Sequence, residues 1–242
     1  MNPKTNSKTN AKHKPKRRAL KILVTIIAVL ILAGVIANKQ WTKSGTNDWK
    51  LAVEQDGVVV HTLKTPGSFV LKMKATKRMK TNLGALVSVM QDVEAMCTHG
   101  CYDAKIISRE GPHQLSTFTR FDFPFPLKDR EWVLYNHFSQ DAGTKEITYK
   151  IKAVPDLVEE NKGYVRITHF NNKWRFTPVN SSEVEVEWYV DMDHGGYMVN
   201  LFHNMAIPDA MRNSLLEIEQ MLQDDKYQSA KYDFVAEAVD EN

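Results

Sequence analysis

The sequence predicts an α+β protein in which a curved antiparallel sheet wraps around a long C-terminal helix, preceded by one membrane-spanning helix. Three observations support this prediction. An uncharged apolar run lies near the N-terminus, a series of alternating strand-like segments fills the middle of the chain, and an amphipathic helical pattern follows them. Because a sheet with one apolar face needs a cover, we expect the final helix to pack across it.

The charges of the 242-residue chain are distributed unevenly. Residues 1–43 carry ten of the 32 Lys and Arg residues and no acidic residue. Residues 44–242 hold the other 22 basic residues and all 29 acidic residues, which gives this part a formal charge of −7. A domain with net negative charge repels a polyanion, so this balance argues against a nucleic acid as partner.

The apolar run ILVTIIAVLILAGVIA, residues 22–37, predicts a transmembrane helix over residues 20–38. The basic segment KHKPKRR precedes it, and only Lys39 and Lys43 follow closely. The positive-inside rule then predicts a single-pass protein of the inner membrane, with its main domain on the periplasmic side. A cleaved signal peptide is the alternative, because Val35-Ile36-Ala37 offers small residues at a suitable spacing.

These signals divide the chain into five expected regions. We expect a disordered basic cytoplasmic tail at 1–19, the anchor at 20–38, a linker at 39–48, a globular domain at 49–225 and a C-terminal tail at 226–242.

The globular region shows strand and helix periodicities. EVEVEWYVDMD alternates strictly, which predicts an antiparallel strand with one wet face. The segment GYVRITHFNNKWRFTPV predicts two strands around Asn171-Asn172, and TNLGALVSVMQDVEAM predicts a helix capped by Thr81 or Asn82. The last helix is expected to begin near Pro208, a residue suited to a first helical turn. Its apolar stripe is Met211, Leu215, Ile218 and Leu222.

Catalytic motifs are missing from the sequence. It contains no Gly-x-Ser-x-Gly, P-loop, Gly-x-Gly-x-x-Gly or His-Glu-x-x-His motif, and its histidines are scattered. We therefore expect no catalytic residues, no cofactor and no resident metal ion.

The two cysteines, Cys97 and Cys101 in CTHGC, leave three possibilities open. In an oxidising compartment such a close pair forms a disulfide readily. Free thiols are the second possibility. Zinc is the third, because His99 and His113 are near in sequence, although the spacing does not match a zinc finger.

The segment FPFPLKDREWV, residues 123–133, combines a proline-rich corner with four adjacent charges. The charges fit a solvated corner with local ion pairs, or a corner at which Arg130 or Asp129 turns towards a cavity. The segment resembles the motif of START (steroidogenic acute regulatory-related lipid-transfer) domains, in which Arg-Asp or Arg-Glu enters a strand after such a corner. Further resemblances follow in the same order: WKLAVEQDGVVVHT at 49–62, YVRITHFNNKWRFTPV at 164–179, and GGYMVNLFHNMAIPDAMRNSLLEIEQML at 195–222.

The resemblance implies a helix-grip fold, in which a curved antiparallel sheet and the C-terminal helix enclose an apolar tunnel for a lipid or sterol. It implies ligand binding and transfer at a membrane without catalysis. One position departs from the pattern, because Tyr197-Met198 stand where a proline commonly follows the Gly-Gly pair. The entry loop is therefore expected to differ in shape, and the resemblance does not identify the ligand.

Candidate ligand-binding residues follow from this interpretation. Arg130 and Arg166 are candidates for a polar head-group contact. The candidate wall and lid residues are Trp188, Met198, Leu201, Phe202, Met205, Met211, Leu215 and Ile218. Two other functions stay open: a cyclase or hydrolase acting on a hydrophobic substrate in the same cavity, and a cell-envelope module that binds a partner protein.

Overall fold

The computed structural model describes residues 14–239, except for the side chains of residues 14–17, Tyr197 and Met198. The chain divides into two compact units, one ending at Ser44 and one beginning at Gly45. Every residue of the hydrophobic core belongs to the second unit. Since this unit has a core of its own, it can fold as an independent domain.

The first unit contains a single described helix, α1, Lys14–Lys43. It begins before the predicted anchor and ends after it, so residues 14–19 are helical rather than disordered and residues 39–43 continue the helix into the expected linker. Residues 1–13 of the expected tail lie outside the described residues. Residues 18–43 are long and apolar enough to cross a bilayer, and they make α1 a candidate single-pass membrane anchor.

The described part of the second unit contains one large curved sheet and three further α-helices. A 3₁₀ turn lies at Pro155–Leu157. The strands are β1 Trp49–Gln55, β2 Val58–Leu63, β3 Lys72–Lys80, β4 Cys101–Glu110, β5 Gln114–Phe121, β6 Arg130–Gln140, β7 Ile147–Ala153, β8 Val165–Arg166, β9 His169–Asn180 and β10 Glu183–Asp193. The helices are α2 Leu83–Gln91, α3 Tyr197–Met221 and α4 Asp225–Gln228.

The strand order is β1-β2-β3-β10-β9-β7-β6-β5-β4, and all of these pairs are antiparallel. β8 pairs in parallel with the first two residues of β6. The β1–β2 hairpin closes through Asp56 and Gly57, whose φ angles of 53° and 72° match the two-residue turn that the right-handed strand twist favours.

The predicted turn at Asn171-Asn172 is wrong. Both residues lie inside β9, where Asn171 pairs with Lys152 of β7 and Asn172 pairs with Val190 of β10. Asparagine favours turns because its side chain competes for backbone hydrogen bonds. In a strand with partners on both sides, the ladder bonds satisfy the backbone and outweigh that local preference.

The apolar face of the sheet is covered by α2 and α3. The alternation of β10 is confirmed, because Val184, Val186 and Val190 are buried in the core. The predicted stripe of α3 also lies in this core: Met211, Leu215, Ile218 and Leu222 are all buried.

The N-terminal cap of α2 is Asn82, one of the two residues that the sequence predicts for this position. Its side chain accepts a hydrogen bond from the amide of Ala85 at 2.8 Å.

Helix α3 begins eleven residues before the predicted start at Pro208, which instead lies inside the helix. Proline has no N–H to donate, so the carbonyl of Asn204 loses its intrahelical partner. The helix continues through this position because Val199, Asn200 and His203 on its first half are buried. Gly195 and Gly196, with φ angles of 71° and 103°, form the reversal that starts it.

The domain extends past the predicted boundary at residue 225. Tyr227 is buried, and Tyr232, Phe234 and Val235 pack against the core. The Glu237 carboxylate accepts hydrogen bonds from the amides of Leu83 and Gly84 at 2.9 and 2.7 Å, which caps the N-terminus of α2. Residues 226–239 are therefore part of the domain rather than a tail.

Replacing Leu215 by Ala should lower the free energy of unfolding by about 2–5 kcal/mol, because this fully buried side chain joins α3 to the sheet. Chemical denaturation monitored by circular dichroism measures the effect. The control is Gln220→Ala on the exposed side of the same helix, which should stay within about 0.5 kcal/mol of the parent. Equal effects of the two substitutions would contradict this packing.

Candidate functional site

A partly open cavity of about 120 Å³ lies against the inner face of the sheet. Its floor is formed by β5, β6 and β7. Its opposite wall is formed by the end of α2 and by the segment that links α2 to β4, including the disulfide between Cys97 and Cys101. The cavity thus depends on two parts of the chain that are distant from the C-terminal helix in sequence.

The lining of this cavity is apolar with a few uncharged polar groups, and none of its residues carries a formal charge. Asn136 donates hydrogen bonds to the Leu115 carbonyl and to Thr117 Oγ1, both at 3.3 Å. Burial raises the pKa of Tyr149, so its phenol stays neutral. A site of this composition favours a neutral, largely hydrophobic molecule.

One part of the wall is the segment 92–100, which connects α2 to β4. At its start, Asp92 accepts a hydrogen bond from the Tyr227 hydroxyl at 2.9 Å and pairs with Lys226. Near its end, His99 Nε2 lies 2.6 Å from the Glu217 carboxylate on α3. These contacts are at least partly exposed to water, and exposed polar contacts contribute little to stability.

Arg130 is buried at the corner that the sequence singled out, but its donors are directed at the backbone. It donates to the carbonyls of His194 and Gly195 at 3.2 and 3.0 Å, and also to the carbonyl of Lys128. The guanidinium lies 4.3 Å from the centre of the Phe123 ring. Arg130 therefore holds the turn before α3 against the corner, and it does not line the cavity.

Arg166 is likewise buried and holds the chain in place. It pairs with the Glu131 carboxylate at 3.0 Å and donates to the carbonyls of Val158 and Glu159, both at 3.0 Å. Glu131 also pairs with Arg120 at 2.9 Å. This buried carboxylate between two guanidinium groups connects β5, β6 and the segment before β8.

A second buried polar group lies where β10 leads into α3. His194 Nε2 and His203 Nδ1 are 2.9 Å apart, and the rings of Trp132 and His194 are 5.7 Å apart. Among the described side chains, which exclude those of Tyr197 and Met198, three buried nitrogen atoms of this group have no hydrogen-bond partner: His194 Nδ1, His203 Nε2 and Trp132 Nε1. Because an unpaired buried polar atom costs free energy, these nitrogen atoms would be stabilised by a polar partner that reached them.

The histidine pair is uncharged at neutral pH. Burial, with the nearby Arg130 charge, lowers the pKa of His194 to about 4. Burial and the neighbouring His194 lower the pKa of His203 to about 3. Neutral imidazoles can donate or accept hydrogen bonds but are poor general bases at pH 7 when their pKa values are so low.

The hydrophobic candidates from the sequence are divided between core and surface. Met211, Leu215 and Ile218 are core residues, and Leu201 is half-buried. Phe202 and Met205 point to solvent, with 57% and 70% of their surface exposed. The Met198 side chain lies outside the described part of the chain.

Trp188 stacks on Trp174 at a centroid distance of 4.4 Å, and its ring nitrogen is buried without a partner. None of the sequence candidates except the two cysteines lines the cavity.

The sequence interpretation missed Asn136, Trp132, His194 and His203. The alternation of REWVLYNHF could have placed Trp132 and Asn136 on the same side as the buried Phe138. No local signal connects His194 with His203, since their contact depends on the turn at Gly195 and Gly196.

No family model matches the chain. The chain is 28% identical over 170 residues to the Uncharacterized protein PA1579 of Pseudomonas aeruginosa. The match covers 69% of this chain and 83% of that protein.

Among solved structures, the STAR-related lipid transfer protein of Xanthomonas axonopodis (fragment 25–204) matches with a TM-score of 0.66 and 22% identity, over 73% of this chain and 99% of that one. Human StAR-related lipid transfer protein 5 matches with a TM-score of 0.62 and 14% identity, over 82% and 97% of the two chains. The domain thus has the START-type helix-grip fold that the sequence predicts.

The free energy of unfolding should fall as the pH is lowered from about 6.5 to about 4.5. The unfolded histidines bind protons near pH 6.5, whereas the folded pair resists protonation until about pH 4 and below, so acid favours the unfolded chain. Each histidine contributes up to about 1.4 kcal/mol per pH unit.

Urea titrations at several pH values measure this slope. His203→Gln should reduce it by up to about half. The control, Thr148→Val on the outer face of the sheet, changes no titrating group and should leave the slope as it is in the parent. An unchanged slope in His203→Gln would show that the pair is not held neutral.

Proposed function

We propose that the domain binds a neutral lipid or sterol-like ligand in its interior cavity and carries or presents it at the membrane, without catalysis. The observation that carries this proposal is the uncharged cavity between the inner face of the sheet and the segment 92–100. The affinity would come from moving apolar surface out of water, with one or two polar contacts to orient the ligand.

The cavity must enlarge to hold such a ligand. A space of about 120 Å³ suits a molecule near the size of benzene, whereas ligand sites for larger molecules measure about 300–1,000 Å³. Outward movement of the segment 92–100 would supply this space. It requires breaking the contacts of Asp92 and His99 described above, while the disulfide keeps Cys97 attached to the start of β4.

The polar end of the ligand is assigned to the group of His194, His203 and Trp132. Phe121 lines the cavity and its ring lies 4.1 Å from that of Trp132, so an enlarged cavity would extend towards the histidines. A ligand hydroxyl or carbonyl there would pair with nitrogen atoms that have no partner. Because the two histidines are weak bases and hydrogen bond to each other, this arrangement favours binding over acid–base catalysis.

An exposed apolar surface near this group offers a contact for the membrane. It consists of Phe125, which is 97% exposed, together with Phe202 and Met205. The segments that carry these side chains are linked through other residues, because the ring centres of Phe123 and His194 are 5.9 Å apart and His194 hydrogen bonds with His203 on α3. Exposed apolar patches of this kind mark interaction sites.

The last part of the proposal concerns the helix α1 and the side of the membrane on which the domain lies. The apolar helix α1 would keep the domain at the membrane, and the basic flank before it supports a position of the domain on the periplasmic side of the inner membrane. Restricting the domain to the membrane surface raises its effective concentration there, which would favour repeated uptake and release of ligand.

Filling the cavity should block ligand uptake. Residues 45–242 should bind the neutral dye Nile red and should retain hydrophobic molecules in native mass spectrometry. Thr119→Phe places an aromatic ring in the cavity and should weaken Nile red binding at least about tenfold, or about 1.4 kcal/mol.

The control is Thr148→Phe, the same substitution on the outer face of β7, which should bind the dye like the parent domain. If Thr119→Phe bound the dye as tightly as the control, the ligand site would lie elsewhere. A parent domain that binds no dye and carries no hydrophobic molecule would overturn the proposed function.

Removing the exposed rings should slow transfer to membranes without affecting binding. In Phe125→Ser/Phe202→Ser, transfer of Nile red from the domain to phosphatidylcholine vesicles should slow about tenfold, because less apolar surface enters the bilayer. The control is Leu157→Ser/Val179→Ser, which removes two other exposed apolar side chains. Equal transfer rates for the two double variants would exclude the Phe125–Phe202 surface as the docking site.

A further inference from the structure

The outer face of the sheet carries a groove of about 500 Å³, separate from the interior cavity. It crosses the central strands β6, β7, β9 and β10 on the side away from α3. Lys150, Lys152 and Lys173 lie along its floor, and Tyr135 and Tyr189 lie at its two ends. Nothing in the proposed function uses this groove.

The strand register brings like charges together in the groove. Lys150 of β7 is directly opposite Lys173 of β9, and Lys152 follows on the same face. Directly opposite residues on antiparallel strands have Cβ atoms about 4.5–5.5 Å apart, and like charges in that position destabilise a sheet. The facing lysines therefore lower the stability of the sheet at this position.

The carboxylates on the same face pair with other cations, including that of Glu187, which also lines the groove. Asp191 pairs with Lys72 at 2.9 Å and with His169 at 2.8 Å. Glu187 pairs with Arg175 at 3.1 Å and with Lys74 at 3.8 Å. Within residues 14–239, none of the ion pairs involves the three lysines of the groove.

The ends of the groove add aromatic rings and hydroxyl donors. The Lys152 ammonium lies 5.4 Å from the centre of the Tyr135 ring. At the other end, burial raises the pKa of Tyr189, which keeps its hydroxyl protonated and able to donate. The Tyr189 ring is held edge-on against Trp49, with centroids 6.2 Å apart.

From this arrangement we infer that the groove binds a phosphate-bearing ligand. A carboxylate carries a single negative charge, whereas a phosphate monoester carries about −1.5 to −2 at pH 7 and has three acceptor oxygens. Three ammonium groups on one face match the phosphate better, and lysine is a common phosphate ligand. The negative charge of the whole domain does not prevent this, because salt screens distant charges beyond about 8 Å.

Two sources supply this chemistry, a lipid head group and a soluble phosphate ester. Isothermal titration calorimetry of the full chain in a neutral detergent, with inorganic pyrophosphate as first probe, tests the shared chemistry. We expect one site per chain, with an affinity that falls as salt is added. Lys150→Gln/Lys173→Gln should weaken binding at least about tenfold, since it removes the paired cations.

The matched control is Lys162→Gln/Lys231→Gln, which removes the same charge from exposed positions outside the groove and should leave the affinity unchanged. Absence of pyrophosphate binding, or equal loss in the two double variants, would overturn the inference.

Two further probes separate the sources. Tighter binding of dihexanoyl phosphatidic acid than of glycerol 3-phosphate, lost in the groove variant, assigns the groove to lipid head groups. Equal binding of the two, also lost in the groove variant, assigns it to soluble phosphate esters.

A second measurement uses stability instead of affinity. In Lys150→Glu a carboxylate faces Lys173, so the melting temperature without phosphate should rise above that of the parent. Added pyrophosphate should raise the melting temperature of the parent but not that of the variant. A melting temperature that falls in the variant, with a pyrophosphate response like the parent's, would contradict the inference.

Discussion

The contact between the apolar stripe of α3 and the inner face of the sheet is the interaction on which the rest of the structure depends. A sheet of this size has one face that must leave water, and α3 supplies the cover through Met211, Leu215 and Ile218. Lys77, buried on the same face, reaches the Glu219 carboxylate at 3.2 Å and fixes the helix against β3. With the C-terminal part of α3 packed in this way, the remaining space lies further along the sheet, beside α2 and the disulfide.

The period of two along each strand divides the domain into two chemically different faces. On β7, Tyr149 and Ile151 line the interior cavity while Lys150 and Lys152 lie in the outer groove. The same strand therefore contributes to the proposed site for neutral apolar groups and to the proposed site for anions, and Ile151 lines both. A shift of one residue in strand register would exchange the two sets, so both sites depend on the same pairing of β7 with β9.

Buried charge in this domain holds the backbone in place. Arg130 and Arg166 direct their donors at carbonyl groups and at Glu131, which secures the irregular segments at the end of the sheet where α3 begins. Each of the neutral histidines beside them has one ring nitrogen without a hydrogen-bond partner among the described side chains. Fixed guanidinium groups keep the surroundings rigid, while uncharged imidazoles can accept a new partner without the desolvation cost of a charge.

The sequence by itself determined the features that depend on short-range pattern. Strict alternation placed Val184, Val186 and Val190 on the buried face, the 3.6-residue period identified the stripe of α3, and the motif around Arg130 and Glu131 indicated the START-type fold. Length and composition likewise identified the apolar helix, because a bilayer sets both requirements.

Tertiary contacts decided what those patterns could not. Asn171 and Asn172 form part of a strand because neighbours pair with them on both sides, and α3 continues through Pro208 because its first half is buried. The cavity lining, the His194–His203 contact and the facing lysines 150 and 173 join residues whose separation along the chain says nothing about their distance in space. Such sites arise from pairing and packing between elements, and local propensity carries no information about either.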